Sequence, residues 1–171
     1  NGPIFGLNED YDDYDLIYPN VEYDMYSKEF WTNNYPELAE IALSKLNKLK
    51  EKEIKINEIF DVDKWATFFA IIDLSSTYHG SLLKSVKLYY NPVTAKFEPI
   101  GVDGHYNPNL FKDFLIYDLI DDENVNCSYL CEFKDWYFVF LKKNDGSIND
   151  EFLNLYIKAL QRVTSQDFLD E

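Results

Sequence analysis

Asp73, His79, Asp103 and His105 are the residues of this chain best suited to chemistry, and they include both of its histidines. Asp103 precedes Gly104 directly. A carboxylate beside glycine at the end of a strand can approach a hard cation without side-chain crowding, and Mg²⁺ takes only one or two carboxylates plus phosphate oxygens. The same Asp-Gly pair is also a common turn. Asp73 can position or deprotonate a hydroxyl by accepting its hydrogen bond, or it can simply bond backbone at a helix end. His79 can orient its loop, touch a phosphate, or be structural. His105 can ligate a metal through a ring nitrogen or fill space. All four together could satisfy zinc, although no HExxH-type spacing occurs. Lys84 and Lys87 could reach a phosphate or be plain surface lysines. No Gly-x-Ser-x-Gly elbow for a hydrolase is present.

These groups must be held by elements, and the stretch Asp61 to Asn107 supplies them. Asp61 to Leu74 reads as a helix. With Asp61 as N-cap, Phe60 and Trp65 take the positions of a hydrophobic staple. Val62, Trp65, Ala66, Phe69 and Ile72 repeat at helical spacing, and Phe68, Ala70 and Ile71 are apolar too, so burial nearly all round is expected. The polar loop Ser75 to Ser81 carries His79-Gly80. Val86, Leu88 and Tyr90 alternate with Lys87 and Tyr89, the run Asn91-Pro92-Val93-Thr94 supplies turn chemistry, and Lys96 to Val102 returns as a second strand. Each candidate polar group therefore sits where a scaffold element ends, a usual place for function.

The order helix, polar loop, hairpin, Asp-Gly resembles the C-terminal lobe of a protein kinase-like fold. It is most similar to the CotH kinase family, the spore-coat-type atypical kinases. The residues that carry the resemblance are Phe60 to Trp65, the loop Asp73 to Gly80, the hairpin Lys87 to Thr94, and Phe97-Glu98-Pro99-Ile100-Gly101-Val102-Asp103-Gly104-His105. In kinases a catalytic loop precedes a short hairpin that ends in a metal-holding aspartate. The resemblance thus implies Asp103 as the Mg²⁺ aspartate and Asp73 as the catalytic-loop carboxylate, with His79 beside it. Ser85 stands where the family usually carries a metal-assisting Asn, and His105 where it has a second carboxylate. Lys87 and Ser85 are the implied nucleotide contacts. The implied activity is Mg²⁺-dependent transfer of the ATP γ-phosphoryl group to protein Ser or Thr hydroxyls. A non-catalytic pseudokinase, serving as a surface or structural binding domain, is the alternative. Neither a Gly-rich phosphate loop nor a strand-borne Lys paired with an upstream Glu is found. Members of the family are often surface-associated or exported.

Composition bounds the classes. A length of 171 residues suits one domain with a proper core, and 46% hydrophobic with 18% aromatic residues argues against disorder. No apolar run approaches the roughly 20 residues of a membrane helix, and no signal peptide is visible. The first residue is Asn1, so a processed chain or a piece of a longer one is expected. The net charge of −15, from 31 acidic against 16 basic residues, speaks against nucleic acid, whose phosphates require clustered Lys and Arg. It is compatible with a divalent-metal site or a basic protein partner, although a solvated acidic surface is its commoner meaning. Cys127 and Cys131 lie four apart on an expected helix, where a mutual disulfide is sterically awkward; they read as two half-buried thiols.

Along the rest of the chain, Asn1 to Tyr26 reads as an acidic, loosely structured lead-in, with a short strand at Leu16-Ile17-Tyr18. Its run Glu9 to Asp15 lacks the spacing and glycine of a calcium loop. A helix is expected from Pro36 to Glu53, with Leu38, Ile41, Ala42, Leu46 and Leu49 on one face and a Lys-rich, solvated far end. Leu110 to Ile120 and Tyr129 to Leu141 read as further helices. Lys143 to Gly146 is a turn; Phe152 stands where a calcium loop would need its bidentate Glu. Asn149 caps a helix that turns Phe152, Leu153, Tyr156, Ile157, Leu160 and Val163 inward. Another helix starts near Thr164 to Asp167. The expectation is one α+β domain, mostly helical, shaped like a kinase C-lobe with a short β-hairpin.

Overall fold

Alternating apolar residues form the sheet of the computed structural model, which describes residues 1–7, 23–82, 84–104, 114–120 and 134–169. Four strands, β1 (Ile4–Leu7), β2 (Tyr23–Met25), β3 (Lys87–Asn91) and β4 (Lys96–Ile100), lie in the order β2-β1-β3-β4 and are antiparallel throughout. The expected hairpin is β3–β4, in register from Lys87 opposite Ile100 to Asn91 opposite Lys96. Phe5, Met25, Leu88, Tyr90 and Phe97 are buried, and period-2 alternation puts Leu88, Tyr90 and Phe97 on one face.

Within residues 1–26, Ile4–Leu7 and Tyr23–Met25 are strands: Phe5 and Met25 bury their side chains in the core, β1 pairs with β3 and β2 with β1. Tyr90 N–H donates to the Pro3 carbonyl at 2.9 Å and Tyr26 N–H to that of Ile4 at 2.9 Å. Strands of three or four residues carry too little periodicity to announce themselves. The acidic run Glu9 to Asp15 and the Leu16-Ile17-Tyr18 strand lie outside the described residues.

Seven α-helices are present among the described residues: α1 (Lys28–Asn34), α2 (Pro36–Lys50), α3 (Ile56–Ile59), α4 (Val62–Ser75), α5 (Lys134–Leu141), α6 (Asp150–Val163) and α7 (Gln166–Leu169). With the 3₁₀ turns Tyr78–Ser81 and Ile116–Ile120, helix makes up 57% of the described chain, an α+β composition. Pro36 occupies the first position of α2. Asp61 caps α4 through Lys64 N–H at 3.4 Å, and the Phe60 and Trp65 rings of the staple stand 5.4 Å apart. Asn149 caps α6, accepting from Phe152 N–H at 3.4 Å while donating to the Phe140 carbonyl at 2.9 Å.

Four helix expectations change, the first being Ile41 of α2, expected on the apolar face but 50% exposed. Of the expected helix Leu110 to Ile120, the described residues 114–120 form a 3₁₀ turn from Ile116 onward, where Asp118 turns its carboxylate back to Leu115 N–H at 2.8 Å; residues 110–113 lie outside the described residues. Helix α4 is not buried all round, for Ile71 is 41% and Leu74 44% exposed. Its inner face packs on α6, and Phe69 meets Phe152 at 6.2 Å. Ile157 of α6 is 39% exposed rather than inward, because Tyr156 and Phe152 take the contact face.

The core is aromatic. Trp65, Phe60, Trp136 and Phe140 lie at centroid distances of 4.8–6.2 Å from one another, each such pair adding about 0.5–1.5 kcal/mol beyond its area. Trp65 Nε1–H donates to the Phe97 carbonyl at 3.1 Å, and Asp61 N–H donates to the same oxygen at 3.0 Å. These bonds fasten the start of α4 to the edge strand β4, so the end of α4 and the end of β4 have fixed relative positions. Among the described residues, no helix is long and apolar enough to cross a membrane.

Candidate functional site

Helix α4 stops where Ser76 adopts the left-handed conformation (φ 53°) and its N–H closes on the Asp73 carbonyl. The chain then turns through Tyr78–Ser81. This turn packs against the residues that follow β4: a Cβ on Gly80 would stand 3.0 Å from Gly104 Cα and 3.4 Å from the Val102 carbonyl oxygen. Only a residue without a side chain permits so close an approach. The contact brings His79 to Asp103, itself left-handed at φ 58°.

His79 Nδ1 lies 3.0 Å from the Asp103 carbonyl oxygen, 3.4 Å from its carboxylate Oδ2 and 3.3 Å from Ser85 Oγ. A carbonyl can only accept, so Nδ1 carries the proton in that bond. Serine and aspartate both meet the same ring nitrogen, which is not the relay of a Ser-His-Asp hydrolase, where they meet opposite nitrogens. The side chain of Asp103 is 66% exposed and that of His79 20%, whereas Ser85 is buried. Three of the residues singled out from the sequence therefore converge on one spot.

Asp73 has a different setting. It is 7% exposed, and both carboxylate oxygens are engaged. Ile116 N–H donates to Oδ1 at 3.0 Å, and the Tyr156 hydroxyl donates to Oδ2 in a short hydrogen bond. The Tyr78 hydroxyl also lies against the carboxylate while donating to the Phe114 carbonyl at 2.6 Å. Burial pushes the Asp73 carboxyl from its ordinary 3.8 up to about 6; the hydrogen bonds from Tyr156, Ile116 and Tyr78 oppose that rise, and burial wins. The same burial and the adjacent carboxylate push both Tyr156 and Tyr78 upward, so their hydroxyls stay protonated donors.

Lys87 faces elsewhere. Its ammonium lies 5.3 Å from the centre of the Tyr26 ring and 3.1 Å from where a Cβ on Gly6 would be, so it reaches across β1. Strand β4, which leads to Asp103, is on the other side of β3. His105 lies outside the described residues, as do Cys127 and Cys131. Among the described residues no group of three His, Cys, Asp or Glu could hold a metal ion.

Sequence reasoning missed the partners of Asp73, because Tyr156 and Ile116 stand far along the chain, and Tyr156 read only as an inward-facing residue of its helix. It also missed Ser81, which is fully buried. Ser81 Oγ donates to the Tyr78 carbonyl at 2.8 Å and lies 2.8 Å from the Tyr137 hydroxyl, while its own carbonyl accepts from Trp136 Nε1–H at 3.0 Å. These bonds anchor the His79 turn to α5. A tyrosine and a tryptophan in adjacent positions of an apolar run were the only available signal.

Compared with known proteins, the chain matches no family model, no curated protein and no solved structure.

Proposed function

We propose that this chain is a non-catalytic binding domain that keeps the shell of a CotH-type, kinase-like C-terminal lobe. The order α4, polar turn, β3–β4 hairpin and Asp103 supports the kinship. The state of Asp73 supports the loss of catalysis. A carboxylate that serves an acceptor hydroxyl must be within reach of it, yet Asp73 is 7% exposed and both its oxygens accept hydrogen bonds from inside the protein. Lys87 is turned toward Tyr26 rather than toward a phosphate beside Asp103.

The donors fit Mg²⁺–ATP poorly. Mg²⁺ requires oxygen ligands in near-octahedral array. Beside Asp103 the described side chains offer one imidazole and one buried hydroxyl. No transfer step is derived through that site.

A Mg²⁺-dependent phosphotransferase acting on protein Ser or Thr hydroxyls is the second reading, favoured by the convergence of Asp103, His79 and Ser85 at the end of the hairpin. Calorimetric titration of ATP with and without Mg²⁺ decides between them. The binding-domain reading expects no metal-dependent heat. Metal-dependent ATP binding that disappears in Asp103→Ala overturns it in favour of the enzyme.

A further inference from the structure

Sixteen basic residues in a chain of net charge −15 leave few places where cations can outnumber carboxylates. One such place is the cleft between the end of α2, α3 and the turn joining α5 to α6. Its volume is about 320 Å³, within the range of small-molecule pockets. Ile54, Ile56 and Phe138 form apolar walls, and Lys52, Lys142 and Lys143 supply three ammonium groups, with no carboxylate in the lining. Among the described residues none of these lysines forms a salt bridge. Lys142 stands 3.6 Å from the centre of the Phe138 ring, its stem laid along the apolar wall. Asp145, in the same turn, is held first by Ser147: its Oδ1 accepts from Ser147 N–H at 2.9 Å and Ser147 Oγ at 2.6 Å, and the charge of Lys143 acts on it less than those bonds do.

The turn that carries these lysines is held in place. Asn144 Nδ2 donates to the Lys52 carbonyl at 3.0 Å, tying the turn to the end of α2, and Lys143 N–H donates to the Ser147 carbonyl at 2.7 Å. A second cleft of about 470 Å³ adjoins the first through Ile56, Lys142 and Lys143; it adds Lys55 but also Asp145 and Glu151. Lys142 and Lys143 line both clefts, and the lining of the first alone holds no carboxylate.

We propose that this cleft binds a small organic anion with an apolar body, its phosphate or carboxylate head set among Lys52, Lys142 and Lys143 and its hydrocarbon against Ile54, Ile56 and Phe138. Ammonium groups outside any salt bridge, on an apolar floor, are complementary to that combination and to neither half alone. The site shares no residue with the Asp103 cluster, so it stands whether or not the chain binds ATP.

Calorimetric titration of the full chain with octyl phosphate and with octanoate, both below micelle formation and at low salt, tests it. Saturable one-to-one binding is expected for at least one of them, and the tighter of the two identifies the preferred head. Affinity should fall at least tenfold in Lys52→Gln/Lys143→Gln with an unchanged melting temperature. It should hold in Lys28→Gln/Lys158→Gln, which removes equal charge elsewhere. If the double variant melts early, Lys143→Gln alone, an exposed position, carries the same direction of change. Equal affinity for octyl glucoside or for inorganic phosphate overturns the proposal, as does equal weakening in the control variant or no saturable binding at all.

Discussion

Replacing Asp73 with Asn separates a structural carboxylate from a catalytic one. Burial holds the native carboxyl near 6 against 3.8 in the unfolded chain, so the native state binds this proton more tightly than the unfolded state does. The stability that the proton confers is fully present below about pH 4 and is lost as pH rises through about 6. A displacement from 3.8 to about 6 corresponds to about 3 kcal/mol in total. Roughly half of that, on the order of 1 kcal/mol, is lost between pH 5 and pH 8. Asn has nearly the same shape and no charge, and its amide can serve the Ile116 N–H and Tyr156 hydroxyl as acceptor and donor. The expected outcome is that Asp73→Asn gains on the natural protein by on the order of 1 kcal/mol on going from pH 5 to pH 8. In urea, with a slope of about 1–3 kcal/mol per molar, that is a relative midpoint change of about 0.3–1 M. Tryptophan fluorescence reports it, since Trp65 and Trp136 lie in the core. Only the difference between the two proteins is interpreted, because the other carboxylates titrate in both. Parallel stability profiles across pH 5 to 8 would refute the account of Asp73 as a buried, proton-holding strut.

Two further variants probe how the site is positioned. Gly80→Ala places a methyl 3.0 Å from Gly104 Cα, which must displace the segment after β4. The His79 ring resonances in nitrogen-correlated NMR should shift as its bond to the Asp103 carbonyl is lost, with a stability loss of about 1–3 kcal/mol; unchanged resonances would mean that the contact does not set the pair. Asn149→Ala removes the α6 cap and leaves the Phe140 carbonyl without its side-chain donor, and should cost about 1–2 kcal/mol by chemical denaturation. A cost below about 0.3 kcal/mol would show that water replaces both bonds.

The His79 cluster is instructive because half of it was legible. Each member was visible as a polar residue at an element end. Their meeting was not, because it depends on Gly80 touching Gly104, a contact between two separate loops. The alternative assignments of Asp73 were equally balanced in the sequence, and only the arrival of Tyr156 and Ile116 from distant segments decided its surroundings. The Lys-rich end of α2 read as a solvated face. It becomes one wall of a cleft only when the α5–α6 turn brings Lys142 and Lys143 to it.

The sequence by itself determined what is local: the Asp61 cap with its Phe60–Trp65 staple, Pro36 at the head of α2, the β3–β4 hairpin around Asn91-Pro92, and the Asn149 cap. Each is stabilised by groups within a few residues of one another, so its signal is written in adjacent positions. Tertiary structure alone decided the rest. Strands β1 and β2 are too short to be periodic and exist because β3 offers them an edge and the core takes Phe5 and Met25. The burial of Asp73, the pairing of His79 with Asp103 and the gathering of the lysines join residues far apart in the chain. Such contacts depend on which surfaces happen to face one another once the core closes, and no local pattern encodes that.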